Sequence, residues 1–115
     1  MSDNKKKGDW AEQKAIAYLR KIGHDIIETN WRFGRLEVDI ISSHENFLVF
    51  TEVKFRSSDF FGQPHEFVTR AKQKKIVRAA NEYVISTQFD GEVRFDVVGI
   101  GEFDLQYFKE AFRPY

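Results

Sequence analysis

The sequence predicts an α/β or α+β fold in which a mixed β-sheet is flanked by helices. Two segments carry apolar residues at helical spacing, and three strand-like segments lie between them. A further strand and a short strand or turn follow the second helix. This order of helix, three strands, helix and two strands is typical of helices packed on a sheet.

The first helix is predicted from about Asp9 to Ile22, with Gly23 as a natural stop. The residues before it, including Lys5 to Lys7, are expected to form a disordered basic N-terminus. The apolar positions of this helix are Ala11, Ala15, Tyr18, Leu19 and Ile22.

Three strands are predicted next, at Asp25–Trp31, Leu36–Ser42 and Phe47–Arg56. Turn residues at 33–35 separate the first two strands, and residues 43–46 have the composition of a hairpin turn. The second and third strands should therefore be antiparallel neighbours.

The second half of the chain starts with a loop at 57–64. A second helix is predicted from Thr69 or Arg70 to Ile85, followed by a strand at Glu92–Ile100 and a short strand or turn around Leu105–Phe108. The apolar stripe of this helix is Ile76, Ala79, Ala80, Tyr83 and Val84.

Length and composition fit one soluble domain over residues 1–115, with 42% hydrophobic and 31% charged residues. The absence of cysteine excludes disulfides, thiolate nucleophiles and cysteine-ligated metal centres. No apolar run has the length of a membrane span or the pattern of a signal peptide. The expectation is a cytoplasmic protein with no membrane partner.

The formal net charge is zero, which argues against binding a polyanion through bulk charge. Basic residues nevertheless crowd into the second helix, where they form either a local phosphate-binding face or a solvated helix surface. They are Arg70, Lys72, Lys74, Lys75 and Arg78.

The stretch VFTEVKFR, residues 49–56, begins as an apolar strand and ends in charged residues. Because side chains alternate along a strand, Glu52 and Lys54 share one face with Leu48 and Phe50. Burying the two charges without partners would cost several kcal/mol. The strand is therefore predicted to run from the core into a polar cleft.

The preceding strand places Glu37 and Asp39 on one face, and the hairpin brings Asp39 within reach of Glu52 if that face coincides with the face of Glu52. Two close carboxylates repel each other, and a divalent cation relieves the repulsion. Oxygen ligands favour magnesium or manganese. With Lys54 directed at the same cleft, the implied chemistry is metal-assisted hydrolysis of a phosphodiester.

The pattern of Asp39 followed by Glu52-Val53-Lys54 on adjoining strands resembles the PD-(D/E)XK nuclease superfamily. More narrowly, the chain resembles the bacterial YraN-like family over nearly its whole length. Leu36 and Thr51 depart from the glycine and the aliphatic residue that this family usually has. The matching positions are Gly8, Ala11, Glu12, Tyr18, Leu19, Gly23, Asn30, 37–41, 49–56, Gly62, Lys72, Ala79, Ala80 and 94–98.

The resemblance implies a restriction-endonuclease-like fold and a role for each residue of the pattern. Asp39 and Glu52 would bind Mg²⁺ or Mn²⁺ together with the carbonyl of Val53, and Lys54 would be the catalytic lysine. Glu12 matches a helix carboxylate that lies near the metal in resolvase-like nucleases.

The expected substrate is nucleic acid, with DNA ahead of RNA. Glu37 is a weaker candidate for the edge of the site. Related nucleases that cut both strands usually work as dimers, so a homodimer is compatible with the resemblance. The residues expected to contact nucleic acid are Arg56, Arg70, Lys72 and Lys75.

Other interpretations remain open at this point. The charged residues of the pattern could form a salt-bridged polar patch, in a noncatalytic module that binds nucleic acid or in a protein-interaction subunit. A structural pair with an arginine explains Asp96 as well as a catalytic role does.

The remaining aromatic and histidine residues are assigned structural positions. Trp31, Phe60 and Phe61 are expected in the core or in loop packing, with base stacking as the alternative. The histidines, which lack ligand spacing, are expected at the surface or in loops. They are His24, His44 and His65.

Overall fold

A computed structural model of the chain describes residues 3–56, 62 and 64–114, and their side chains except those of 3–5, 64 and 65. The predicted loop residues 57–61 and 63, with Phe60 and Phe61, and the side chain of His65 lie outside the described part. The elements are α1 (Asp3–Lys21), β1 (Asp25–Phe33), β2 (Leu36–His44), β3 (Phe47–Phe55), α2 (Pro64–Phe67), α3 (Arg70–Thr87), β4 (Glu92–Ile100) and β5 (Leu105–Phe112).

The five strands form one mixed sheet in the order β1-β2-β3-β4-β5. Neighbouring strands are antiparallel except β3 and β4, which are parallel because α2 and α3 carry the chain back between them. The predicted fold class, a mixed sheet flanked by helices, is therefore confirmed.

Each face of the sheet has its own hydrophobic core. The core under α3 contains Ile76 of the helix and Phe50 and Val97 of the sheet. The core under α1 contains Leu19 of the helix and Val98 of the sheet. Because adjacent residues of a strand point to opposite faces, Val97 and Val98 show that α1 and α3 cover opposite sides.

The first helix begins at Asp3, six residues before its predicted start. The expectation of a disordered N-terminus is therefore wrong for residues 3–7, which are helical. Lysine has a favourable helix propensity, and no proline interrupts the segment. The helix ends at Lys21, one residue before its predicted end, and Gly23 adopts a left-handed φ of 103° that suits glycine.

The β2–β3 hairpin is confirmed with a tighter turn than predicted. Glu45 and Asn46 form the turn with φ values of 52° and 69°, which match the turn types that fit the twist of a hairpin. β2 is consequently two residues longer than predicted, and it ends at His44. The last strand was expected to be short or a turn, but β5 spans eight residues.

α3 corresponds to the predicted second helix and matches that prediction closely. Thr69 caps the helix by accepting a hydrogen bond from the Lys72 N–H, and Gln88 ends it in a left-handed conformation. The predicted apolar stripe is buried apart from Val84, which is half-buried. Within the described ranges, no helix combines the length and the apolar character needed to cross a membrane.

A largely buried polar cluster lies where β2 ends and β4 begins, and it contains two of the histidines, His24 and His44. His24 is only 3% exposed, and its Nδ1 lies 2.8 Å from Ser42 Oγ. Its ring stacks on His44, with 4.0 Å between the centroids. His24 lies in the loop between α1 and β1, as expected, but it is buried there rather than exposed. The assignment of His44 to the surface or to a loop is wrong, because it ends β2 and its ring packs against His24.

Arg94 and Asp96 form the centre of this polar cluster. The guanidinium donates from Nε and Nη2 to the two oxygens of Asp96, at 2.9 and 2.8 Å. Tyr107 donates its hydroxyl hydrogen to Asp96, and the Glu110 N–H donates at 3.0 Å. The structural pairing of Asp96 with an arginine is therefore observed, and its carboxylate is fully hydrogen-bonded.

Burial, and after it the neighbouring His44, lower the pKa of His24 from 6.5 to about 4. The folded protein therefore binds this proton less tightly than the unfolded chain does. The stability linked to neutral His24 is complete above pH 6.5 and is lost as the pH falls through 4. Between pH 6.5 and about 4.5 the wild type should lose unfolding free energy as His24 of the unfolded chain becomes protonated. In His24→Gln this loss should be smaller by roughly 1–2 kcal/mol, measured by urea denaturation.

The matched control is Lys21→Gln, at an exposed position at the end of α1. This variant should retain the wild-type dependence on pH. If His24→Gln lost stability with acid as steeply as the wild type, the proton linkage would belong to other groups.

Candidate functional site

The sheet forks between β2 and β3. The two strands pair from their turn as far as Ile40 and Thr51. Beyond this pair β2 continues beside β1 to Leu36, and β3 continues beside β4 to Phe55. The next residues along the two strands, Asp39 and Glu52, therefore lie at the mouth of the fork.

An irregularity in β2 accompanies the fork. Val38 and Ile41 both belong to the core under α3, while Ile40 belongs to the core under α1. In a regular strand, residues three apart point to opposite faces. β2 therefore changes its facing at Asp39 and Ile40, where it separates from β3.

The carboxylate of Asp39 bridges the opening of the fork. Its Oδ2 accepts a hydrogen bond of 2.8 Å from the N–H of Val53, a peptide group that needs a partner once β2 and β3 diverge. Asp39 and Glu52 each lie one residue beyond the last β2–β3 pair, and burial and then the charge of Asp39 raise the pKa of Glu52. The structure thus brings together the two carboxylates predicted to bind a metal.

Two lysines bring positive charge to Glu52. Lys72 Nζ lies 3.8 Å from Glu52 Oε2, and the Thr69 cap holds Lys72 in the first turn of α3. Lys54 is exposed, and its charge acts on Glu52 from the same strand face. Both predicted site lysines are therefore close to the carboxylates.

Glu12 reaches the fork from α1, on the other face of the sheet. It lines a pocket of about 250 Å³ together with Asp39 and Glu37. Its Oε1 accepts a hydrogen bond of 2.7 Å from Asn30 Nδ2. Glu37 is half-buried and pairs with Arg32 at 3.0 Å, which gives it a structural partner at the edge of this pocket.

Asn30 is a site residue to which the sequence assigned no role beyond its place in the matching pattern. It lies in β1, where its φ of 53° is in the left-handed region that asparagine tolerates better than most residues. A lone asparagine inside a predicted strand is the signal that could have indicated an irregular position of this kind.

Glu52 carries the largest electrostatic perturbation at the site. The side chain is only 7% exposed. Burial first, and then the neighbouring Asp39, raise the pKa of Glu52 to about 8, while Lys72 and Lys54 oppose the shift. The pKa of Glu12 is also raised, mainly by burial. The hydrogen bond from Asn30 lowers this pKa, and the nearby charge of Asp39 raises it further. The site therefore concentrates carboxylates that resist ionising together.

The donor chemistry of the fork fits Mg²⁺ or Mn²⁺, because both prefer oxygen ligands and magnesium commonly takes one or two protein carboxylates. In the part of the chain that the structure describes, no three His, Asp or Glu side chains are grouped closely enough to hold a metal by themselves. An ion at Asp39 and Glu52 would complete its shell with a backbone carbonyl, water and substrate oxygens. Glu12 lies outside such a ligand set.

The predicted nucleic-acid-binding residues fall into two groups. Arg70, Lys72 and Lys75 are exposed on α3. Arg56 instead donates to the carbonyl of Glu66 at 3.1 Å, and its guanidinium lies 5.4 Å from the ring centroid of Phe67. Arg56 therefore ties the end of β3 to α2, and its guanidinium is already engaged.

Comparison with known proteins identifies the family. The model of a family described as "Uncharacterised protein family UPF0102" matches residues 11–100. The chain belongs to the UPF0102 family. This confirms the YraN-like resemblance, and the matched residues include Glu12, Asp39, Glu52 and Lys54.

Relatives in the UPF0102 family resemble the chain over almost its full length. A UPF0102 protein of Flavobacterium psychrophilum is 44% identical over 97% of this chain and 98% of its own. One from Bacteroides thetaiotaomicron is 42% identical over 99% of this chain and 98% of its own. One from Clostridium perfringens is 37% identical over 96% of each chain.

Glu52→Gln is expected to stabilise the metal-free protein at high pH. The folded protein holds the Glu52 proton more tightly than the unfolded chain, so the stability linked to the protonated form is complete below pH 4.5 and is lost as the pH rises through about 8. Glutamine has no proton to lose. Denaturant unfolding in EDTA should show Glu52→Gln more stable than the wild type at pH 9 by roughly 1–3 kcal/mol, with a smaller difference at pH 5.

Glu92→Gln is the matched control, since Glu92 is exposed at the opposite end of the sheet. It should follow the wild type at both pH values. A Glu52→Gln protein whose advantage did not grow with pH would show that Glu52 ionises normally in the fold.

Proposed function

We propose that the protein is a metal-dependent nuclease of the PD-(D/E)XK endonuclease-like superfamily that hydrolyses phosphodiester bonds in nucleic acid. The observation that carries the proposal is the placement of Asp39 next to the buried Glu52 at the sheet fork, with Lys54 two residues further along β3. A mixed sheet with helices on both faces is compatible with this superfamily and supports the assignment.

Each residue of the fork has a role in this proposal. Asp39 and Glu52 would hold Mg²⁺ or Mn²⁺, with the carbonyl oxygen of Val53 as a further ligand. The ion would supply an acidified water molecule and offset the charge of the phosphate. Lys54 is exposed beside Glu52, where an ammonium can donate to a phosphate oxygen as negative charge develops.

The proposed substrate is DNA, in keeping with the endonuclease resemblance. Arg70 and Lys75 expose positive charge on α3, the helix that also brings Lys72 to Glu52. Cations at this position can neutralise backbone phosphates next to the cleaved bond. A cytoplasmic location, where a bacterial nuclease meets its DNA, is part of the same proposal.

A second candidate function is a noncatalytic module that binds nucleic acid. The observation that favours it is the ion pair between Lys72 and Glu52, which offsets the charge of Glu52 without a metal. Such a module would bind DNA through the same basic residues and leave it intact.

The nuclease proposal predicts that Glu52→Gln and Asp39→Asn each reduce cleavage by at least ~100-fold, because each removes a charge that holds the ion. Cleavage is measured on labelled single-stranded, duplex, flapped and four-way-junction DNA with Mg²⁺ or Mn²⁺. Glu92→Gln serves as the control and should cleave like the wild type.

The possible results separate the two functions. Cleavage by the wild type that persists in both site variants would place the activity elsewhere. Salt-dependent binding of the same DNA, with no cleavage by any of the proteins, would favour the noncatalytic module.

Metal binding can be tested without nucleic acid. At a Mn²⁺ concentration 100-fold above its Kd, the folded protein should gain about 2.7 kcal/mol, which raises the unfolding temperature of a domain of this size by roughly 10 °C. The increase should be lost in Asp39→Asn and retained in Glu92→Gln. An equal increase in wild type and Asp39→Asn would show that the fork does not bind the metal.

A further inference from the structure

A second pocket lies on the opposite flank of α1 from Glu12. Its volume is about 310 Å³, and its lining combines aromatic and basic side chains. Phe55 lines this pocket and also the pocket that contains Glu12 and Asp39. The lining residues are Lys6, Lys7, Trp10, Phe55 and Glu102.

Trp10 gives this aromatic pocket its character. The indole is 39% exposed, so much of a large aromatic surface remains in water. It meets Phe55 edge to face, with 6.0 Å between the centroids and 78° between the planes. This arrangement leaves an aromatic surface available to a ligand.

A lysine ammonium group lies near each ring of the aromatic pocket. Lys14 Nζ lies 4.9 Å from the centroid of Trp10, and Lys7 Nζ lies 5.9 Å from the centroid of Phe55. Aromatic rings that accept stacked bases, next to cations that pair with phosphates, are the combination used by proteins that bind single-stranded nucleic acid. Packing against Phe55 alone would require neither the exposed indole nor the surrounding lysines.

The loop after β4 adds a further exposed aromatic side chain at this end of the sheet. Phe103 is 82% exposed and directly follows Glu102, which lines the aromatic pocket. Two exposed aromatic residues therefore lie in or next to the same surface, where a stacked base would cover apolar area.

The aromatic pocket and the fork are close enough to bind one strand. The two pockets lie on opposite flanks of α1 and share Phe55, so their separation is about the width of a helix, roughly 10 Å. Successive nucleotides of a stacked strand are about 3.4 Å apart, so about three nucleotides span this distance. A base at Trp10 and a phosphate at Asp39 and Glu52 can thus belong to the same strand.

We infer that the pocket formed by Trp10 and Phe55 binds an unpaired nucleobase, and that the substrate therefore has a single-stranded segment beside the cleaved bond. The inference rests on the proposed nuclease function. In an uninterrupted duplex every base is paired and stacked, and extracting one costs free energy. Flapped, gapped or single-stranded nucleic acid is accordingly the substrate class, ahead of continuous duplex.

The test uses Trp10 as its own reporter. The chain has two tryptophans, so Trp31→Phe leaves Trp10 as the only indole. This protein is titrated in EDTA, where cleavage is blocked, with a short oligothymidylate and with an abasic oligomer that has the same number of phosphates. Oligothymidylate should quench the Trp10 fluorescence, and the abasic oligomer should not.

Affinity measurements in the otherwise wild-type chain complete the test. Trp10→Leu should weaken oligothymidylate binding about ten-fold or more, and Trp10→Phe should weaken it less, because it keeps an aromatic face. Phe33→Leu is the matched control, an exposed aromatic position of β1 outside both pockets, and should bind like the wild type. Circular dichroism confirms that each variant is folded.

The outcomes distinguish this inference from the nuclease proposal. Equal affinity of Trp10→Leu and wild type, with equal quenching by both oligomers, would overturn the base pocket even if Glu52-dependent cleavage were found. Loss of affinity in Trp10→Leu without any cleavage would support the base pocket and count against the nuclease. Preference of the wild type for continuous duplex would overturn the inferred substrate class.

Discussion

The separation of β2 from β3 at Asp39 and Glu52 is the constraint on which the candidate site depends. Continued pairing would place two carboxylates side by side inside a sheet, with no water to solvate them. The strands instead diverge, and Asp39 accepts the N–H of Val53 that the missing ladder would leave without a partner. Under the proposed function, the same divergence is where a cation would meet both carboxylates.

α1 and α3 each place a charged side chain at this opening, from opposite faces of the sheet. α3 brings Lys72 to Glu52, and its position is fixed by the Thr69 cap and by the core under the helix. α1 brings Glu12 to the pocket that contains Asp39. Positive and negative side chains therefore converge on the fork between β2 and β3, while the hydrophobic residues of both helices hold the sheet between them.

The polar cluster at the other end of the sheet has a different character. Arg94 and Asp96 neutralise each other by two hydrogen bonds, and Tyr107 adds a third to the same carboxylate. Buried charges are tolerated there because they are paired. At the fork, Lys72 and Lys54 only partly offset the burial of Glu52. Under the proposed function, this unpaired charge is what a bound ion would neutralise.

The sequence by itself determined the fold class, most of the element bounds and the closeness of Asp39 to Glu52, because these follow from alternation, helical spacing and a short hairpin. Only the tertiary structure decided the fork, the burial of His24 and the meeting of Trp10 with Phe55. Those features join residues that are distant in the chain. Their partners depend on strand register and on how α1 lies across the sheet, which local periodicity does not specify.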